Sequence, residues 1–514
     1  MISGFVTVSP QLNRTIVRLY LIILFLGWLF LFVPTLTREY AIHAVLFTDA
    51  SFFCYDDYPK NPNKSLLLFK ALGIVTLYFI YRIGAGTSYF LRRKPLYLTC
   101  YCVGAASIAL WWPSVLLVFL ILFLISYPWH QEEEAAKQCW KIVLALFCAS
   151  FLLRIEKLPN VAFVPLQLDA SSFLNLSQSM SWFYDTHHRE PLLCFFVKLI
   201  TLIFPIPPDV ATHGYLPMRF FTVMLSCIAV VMTFGFGRAF FSARVGFLAA
   251  LLMALNKGMV YRSLQGLREE LVIIAVFAVI WVAFVKKTVK NQAFSFGILW
   301  GIAMGMILLV RTSFLPFVFF ILLWAWWKEY RSLRECIVAA MIAAILVSPY
   351  YLYCWKLFGD PFYSGNVHIR FYYEAVFGKG SLTGRTITPA EIMLQVYPWY
   401  QSIAFTTEGF LDTLFGRYAL RLFYVPLSPV LIGASLIGYG LWLKHSHKRV
   451  FVWITLLLIG PMAFFMGMLN HSDTVFDWRL VVHLTPFMAF AAGEGLFELL
   501  ERSFGGMEMN PGKE

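Results

Sequence analysis

Apolar runs of similar length, separated by short charged or Pro/Gly-rich breaks, recur along almost the whole chain. A hydrocarbon core about 30 Å thick needs roughly 17–25 apolar residues in helix. Runs near that length cover 16–35, 66–82, 95–111, 113–129, 138–154, 191–205, 218–236, 245–261, 270–286, 293–310, 312–327, 336–354, 423–443, 451–469 and 480–498. The pattern predicts an all-α polytopic membrane protein, with 16–35 as a first span rather than a cleavable signal. Between 158 and 199 the pattern changes. Phe173, Leu174, Leu176, Met180 and Phe183 recur at helical spacing among polar residues, which predicts an amphipathic juxtamembrane helix with Asp169 at its N-terminus. Gly297, Gly301 and Gly305 share one helix face, suited to close helix packing in lipid.

Basic residues orient the runs. Arg14 and Arg18, Arg92 to Lys94, Lys137 and Lys141, Lys286 to Lys290, Lys328 to Arg334, and Lys444 to Arg449 mark cytoplasmic breaks by the positive-inside rule. The opposite face then receives 37–65, 155–190, 262–269, 355–422 and 470–479, where most of the acids lie. Three apolar runs separate 155–190 from 262–269, and an odd number of crossings cannot return a chain to the same side. The short run 191–205, opening at Pro191, is therefore expected at the interface. That leaves about 14 transmembrane helices, with both termini cytoplasmic.

Composition agrees with this reading. The 514 residues are 60% apolar and 13% charged, with a mean hydropathy of +0.72, against roughly 45–50% and about 25% in soluble domains. This excludes a soluble enzyme and a disordered chain. The formal charge of +13 comes from 41 basic and 28 acidic residues. The basic cytoplasmic breaks account for it, so no nucleic-acid partner is expected. The nine cysteines fall mostly in apolar runs without CxxC or Cys/His spacing. No metal site is specified, and a divalent cation stays an open alternative.

Three clusters at the outer face carry candidate chemistry. Asp169 is the first. Next come His188, Arg189 and Glu190, entering an apolar run together, which is costly unless they are paired or wet. The third stretch holds Arg262, Arg268, Glu269 and Glu270, and Arg479 at the start of the last run adds a further cation. Each also has a plain structural explanation: a helix cap for the acids, an interfacial anchor for the others. Together they offer a carboxylate near several arginines, as transfer of a group from a lipid phosphate requires.

The run Asp169-Ala-x-x-Phe173-x-x-x-Ser177, followed by His188-Arg189-Glu190-Pro191-Leu192, resembles the polytopic GT-C glycosyltransferases related to protein O-mannosyltransferases and the aminoarabinose transferases of lipid A. Arg219, Gly237-Arg238-Ala239-Phe240-Phe241, Phe358-Gly359-Asp360-Pro361 and Asp477-Trp478-Arg479-Leu480 continue the resemblance, which covers roughly 140–500. Ala170 stands where many relatives have a second acid, and Arg189-Glu190 where they often have proline. The resemblance implies a GT-C-like bundle with outer-face juxtamembrane helices. It implies a catalytic membrane core over 138–353 including the outer loop 155–190, a late outer loop over 354–422, and C-terminal helices over 423–514 with a short cytoplasmic tail, while the expected helices over 1–137 have no counterpart in it and stand as an N-terminal addition. It further implies transfer of a sugar, with inversion, from a polyprenyl-phosphate-linked donor to a lipid, glycan or protein acceptor. The enzyme would sit in a bacterial inner membrane, among its lipids, with the active site facing outward. Asp169 would be the base; His188, Arg189, Glu190, Arg262, Arg268, Glu269 and Arg479 would hold donor phosphate or sugar. Two alternatives remain: an O-antigen polymerase or ligase working through the late loop, and a lipid-linked glycan transporter or flippase, which midspan charges and inverted repeats would favour.

Overall fold

The computed structural model describes residues 139–504, apart from 156, 159–160, 162–163, 167, 208–213, 286–292, 379–387, 417–418, 420–427, 472–478 and 480. The expected spans and domain within 1–137, the basic cluster 286–290, and Asp473 and Asp477 lie outside the described residues. The described part is helical, and no strand occurs among the described residues.

The main helices are α1 (Cys139–Ile155), α2 (Leu168–Ser179), α3 (Pro191–Ile203), α4 (Leu216–Phe240), α5 (Ala243–Leu255), α6 (Lys257–Ser263), α7 (Glu269–Phe284) and α8 (Ala293–Val310). They continue with α9 (Leu315–Trp327), α10 (Leu333–Phe358), α11 (Tyr363–Phe377), α12 (Trp399–Leu414), α13 (Ser428–Lys444), α14 (Arg449–Asn470) and α15 (Thr485–Phe504). Each described apolar run falls on one or two of these helices. Among the described residues, only α4 and α10, of 25 and 26 residues, are long and apolar enough to cross alone; α14 joins them if counted across a 55° bend between Gly460 and Met462. Most other apolar helices among the described residues are shorter. The run 245–261 is also broken, because Asn256 leaves the helix and its side chain accepts from the Met259 N–H at 2.9 Å, capping α6. Within 354–422, expected as the late outer loop, the described residues form α11, α12 and short helical turns.

Local chemistry explains the ends. Ser332 and Glu335 form a reciprocal capping box at the start of α10, and Gly359, at φ +71°, closes it in a left-handed conformation that costs glycine little. The Arg331 guanidinium donates to the last carbonyls of α7, Val282, Ala283 and Val285, the negative end of that helix. Packing in lipid depends on close approach rather than on expulsion of water, and small residues mark the crossings. A Cβ at Gly301 would lie 2.6 Å from the Ala339 carbonyl oxygen of α10, while Gly237 meets Gly246 between α4 and α5. Phe236 of α4 anchors an aromatic core with Phe277 of α7 at 4.8 Å and Phe490 of α15 at 5.6 Å between ring centres. On α10, Ile337, Met341, Ile345 and Leu352 are at least half exposed, a stripe suited to lipid.

Candidate active site

The expected helix after 168 is present as α2, with Asp169 in its first turn. Its inward positions Phe173, Leu174 and Ser177 are buried, while Asn175 and Gln178 are exposed. The Asp169 carboxylate is shared between two arginines distant in sequence. Arg189 Nη2 donates to Oδ1 at 2.6 Å and Arg479 Nη1 to Oδ2 at 2.7 Å. The Asp169 side chain remains 32% exposed, so the ion cluster opens to the surroundings. Burial opposes its charge, but Arg479 and Arg189 outweigh that and hold the carboxyl well below the usual carboxylate range.

The loop that carries Arg189 is pinned from α10. Tyr353 and Ser181 donate to Asp185 at 2.6 and 2.7 Å, Tyr184 donates to the Leu346 carbonyl at 2.8 Å, and Thr186 donates to the Arg189 carbonyl at 2.6 Å. His187 takes a positive φ of 49° in this turn. His188 is half-buried, and burial, followed by the Arg189 and His187 charges, lowers its imidazole pKa below the ordinary value.

A second, buried pair lies beside the first. Glu190, 2% exposed, accepts from Arg268 Nη1, from the Thr312 backbone N–H at 3.0 Å and from Thr312 Oγ1 at 2.7 Å. Pro191 opens α3 immediately after Glu190, and Arg268 is the residue before α7, where its Nη1 also donates to the Val310 carbonyl at 3.1 Å. Thr312 lies in the single 3₁₀ turn between α8 and α9, and its hydroxyl is 2.6 Å from that of Ser364 in the first turn of α11. The Phe173 ring joins the pairs, with the guanidinium carbons of Arg189 and Arg268 at 5.4 and 5.8 Å from its centre, within cation–π range.

The structure thus brings together Asp169, Arg189, Glu190, Arg268 and Arg479, with His188 adjacent in the same loop. Glu269 is buried next to Arg268, with Oε2 lacking a hydrogen-bond partner. Arg262 donates to Gln265 at 2.8 Å and interacts electrostatically with Glu270. Sequence reasoning missed Thr312, Ser364 and Arg311. A lone arginine between two apolar runs was the available signal for Arg311. Among the described residues no cluster of His, Cys, Asp and Glu is arranged to hold a metal.

No family model and no curated protein matches the chain. Among solved structures, it is similar to an oligosaccharyltransferase of Archaeoglobus fulgidus in complex with zinc and sulfate, at 15% identity and a TM-score of 0.43, over 70% of this chain and 50% of that one. It is also similar to the oligosaccharyltransferase AglB of the same organism in complex with an inhibitory peptide and a dolichol-phosphate, at 14% identity and a TM-score of 0.42, over 71% of this chain and 52% of that one. The chain therefore spans about half the length of these structures.

Proposed function

We propose that this chain is a membrane glycosyltransferase that moves a sugar from a polyprenyl-phosphate-linked donor to a lipid, glycan or protein acceptor, with inversion, at the outer face of a bacterial inner membrane. The observation that carries the reading is the partly open Asp169 carboxylate held between Arg189 and Arg479. The motif resemblance of 169–192 supports it, and the expected bundle of about 14 spans belongs to it.

A lipid phosphate is already a good leaving group, so one carboxylate suffices where glycoside hydrolysis needs two. Paired with two cations, Asp169 is a weak base. A donor phosphate competes for the same guanidinium groups, because arginine binds phosphate oxygens in the geometry that it offers carboxylates. As Arg189 and Arg479 turn to the phosphate, Asp169 regains basicity and accepts the acceptor hydroxyl proton. The acceptor oxygen then bonds to the anomeric carbon, the bond from that carbon to the phosphate oxygen breaks on the opposite face, and the polyprenyl phosphate leaves with its charge against the arginines. Glu190 keeps Arg268 charged and in place, and His188, neutral, is a hydrogen-bonding group for the sugar or phosphate. Arg262, which donates to Gln265, is a further candidate for the donor phosphate.

Asp169→Asn should fold with little change yet lose transfer by about 10²-fold or more, measured with purified protein and a polyprenyl-phosphate sugar. Full activity in that variant would overturn the reading. The ligase alternative draws support from Ser364, a residue of 354–422 whose hydroxyl meets that of Thr312; it requires Ser364→Ala to be more damaging than Asp169→Asn.

A further inference from the structure

Arg154 and Glu270 are two buried charges that the reading above leaves unused. Arg154 stands in the last turn of α1 and is fully buried. Its Nη1 donates to the Ser150 carbonyl at 3.0 Å and to Ser150 Oγ at 2.6 Å, while its buried Nε and Nη2 have no hydrogen-bond partner. Glu270 stands in the first turn of α7, is also fully buried, and has no partner on either carboxylate oxygen. The two groups attract each other electrostatically without forming a hydrogen bond. Glu269 and Arg262 share the neighbourhood of Glu270, and Glu269 Oε2 likewise lacks a partner.

Each such atom carries an uncompensated desolvation cost, and the signs around it select what could satisfy it. An added cation would face Arg154 and Arg262, and an added anion would face Glu269 and Glu270. Water carries no charge, accepts from guanidinium N–H groups and donates to a carboxylate, and buried water typically bonds about three otherwise unsatisfied groups. The position of the pair gives it a use. Side chains two positions apart on a helix do not face each other. Arg268, immediately before α7, turns to Glu190 and the Val310 carbonyl, and Glu270 has Arg154 of α1 as its counter-charge. The start of α7 is thus held by two separate partners. We propose that buried water bridges Arg154 to Glu270, and that this bridged pair fixes the first turn of α7 and through it positions Arg268 at the transfer site. The positioning step rests on the glycosyltransferase reading; the bridge does not.

The test uses the full chain in detergent. A density map of the wild type fine enough to show ordered water should show it between the Arg154 guanidinium and the Glu270 carboxylate, and direct contact or a dry gap would overturn the bridge. Arg154→Met and Glu270→Leu should each lower the thermal midpoint, because each strands the other charge, and the double variant should recover most of the loss. Additive losses would overturn the pairing. With a polyprenyl-phosphate sugar, the recovered double variant should lose about tenfold or more in kcat with little change in KM, since a displaced Arg268 weakens the transition state rather than substrate binding. A stable double variant with the wild-type kcat would overturn the positioning role. If Asp169→Asn keeps transfer while the double variant loses it, the base assignment fails and the positioning role stands. No transfer by the wild type would overturn the glycosyltransferase reading and the positioning role together, while the density and the thermal cycle judge the bridge alone.

Discussion

At Glu190 the structure concentrates three hydrogen bonds and a buried ion pair on one carboxylate. Removing the charge strands Arg268, itself only 6% exposed, and breaking one side of a buried pair typically costs about 3–5 kcal/mol. Glu190→Gln should therefore lower the thermal midpoint of the purified protein. Adding Arg268→Gln should restore part of the loss, since the double variant leaves no unpaired charge; equal or additive losses would contradict the pairing. Much of this chemistry was legible in the residues themselves. Asp169, Arg189, Glu190 and Arg268 stood out as charges at the edges of apolar runs. Their partners did not: nothing local shows that Glu190 takes Arg268 and Thr312 while Arg189 takes Asp169.

At the scale of elements, helical periodicity located α2 and the longer apolar helices because both reflect local repetition of side-chain character. It failed at Asn256, where a single cap interrupts a continuous apolar run, and it did not show α11 and α12 within 354–422, which are too polar or too short to read as spans. The glycine face of α8 was legible as a packing stripe, and its partner is α10. A side chain at Gly301 collides with the Ala339 backbone and Ile342, so Gly301→Leu should cost about 1–3 kcal/mol by overpacking. Gly440 of α13 has nothing within 4 Å of the position its Cβ would take, and Gly440→Ala should leave the midpoint unchanged. Equal responses of the two variants in thermal unfolding would refute the close α8–α10 contact.

At the scale of the whole described region, α14 carries the chain through 22 residues from the His447 turn to Asn470, as two segments set 55° apart. Arg479 then meets Asp169, so the His447 turn and α2 should lie at opposite faces. In a cysteine-free background, Ser179→Cys should react with a membrane-impermeant maleimide from outside, and His447→Cys only after permeabilisation. Labelling of both from one side would refute the expected sidedness. The sequence by itself determined that this chain is helical and membrane-embedded, where most of its apolar helices run and which charges sit at their ends. These properties follow from side-chain hydropathy and local spacing. Only the tertiary structure decided that Arg479 closes on a carboxylate 310 positions earlier and that Glu190 takes Arg268 and Thr312. Such pairings depend on which helices approach closely and at what height, and that depends on small-residue contacts between distant segments rather than on any period along the chain.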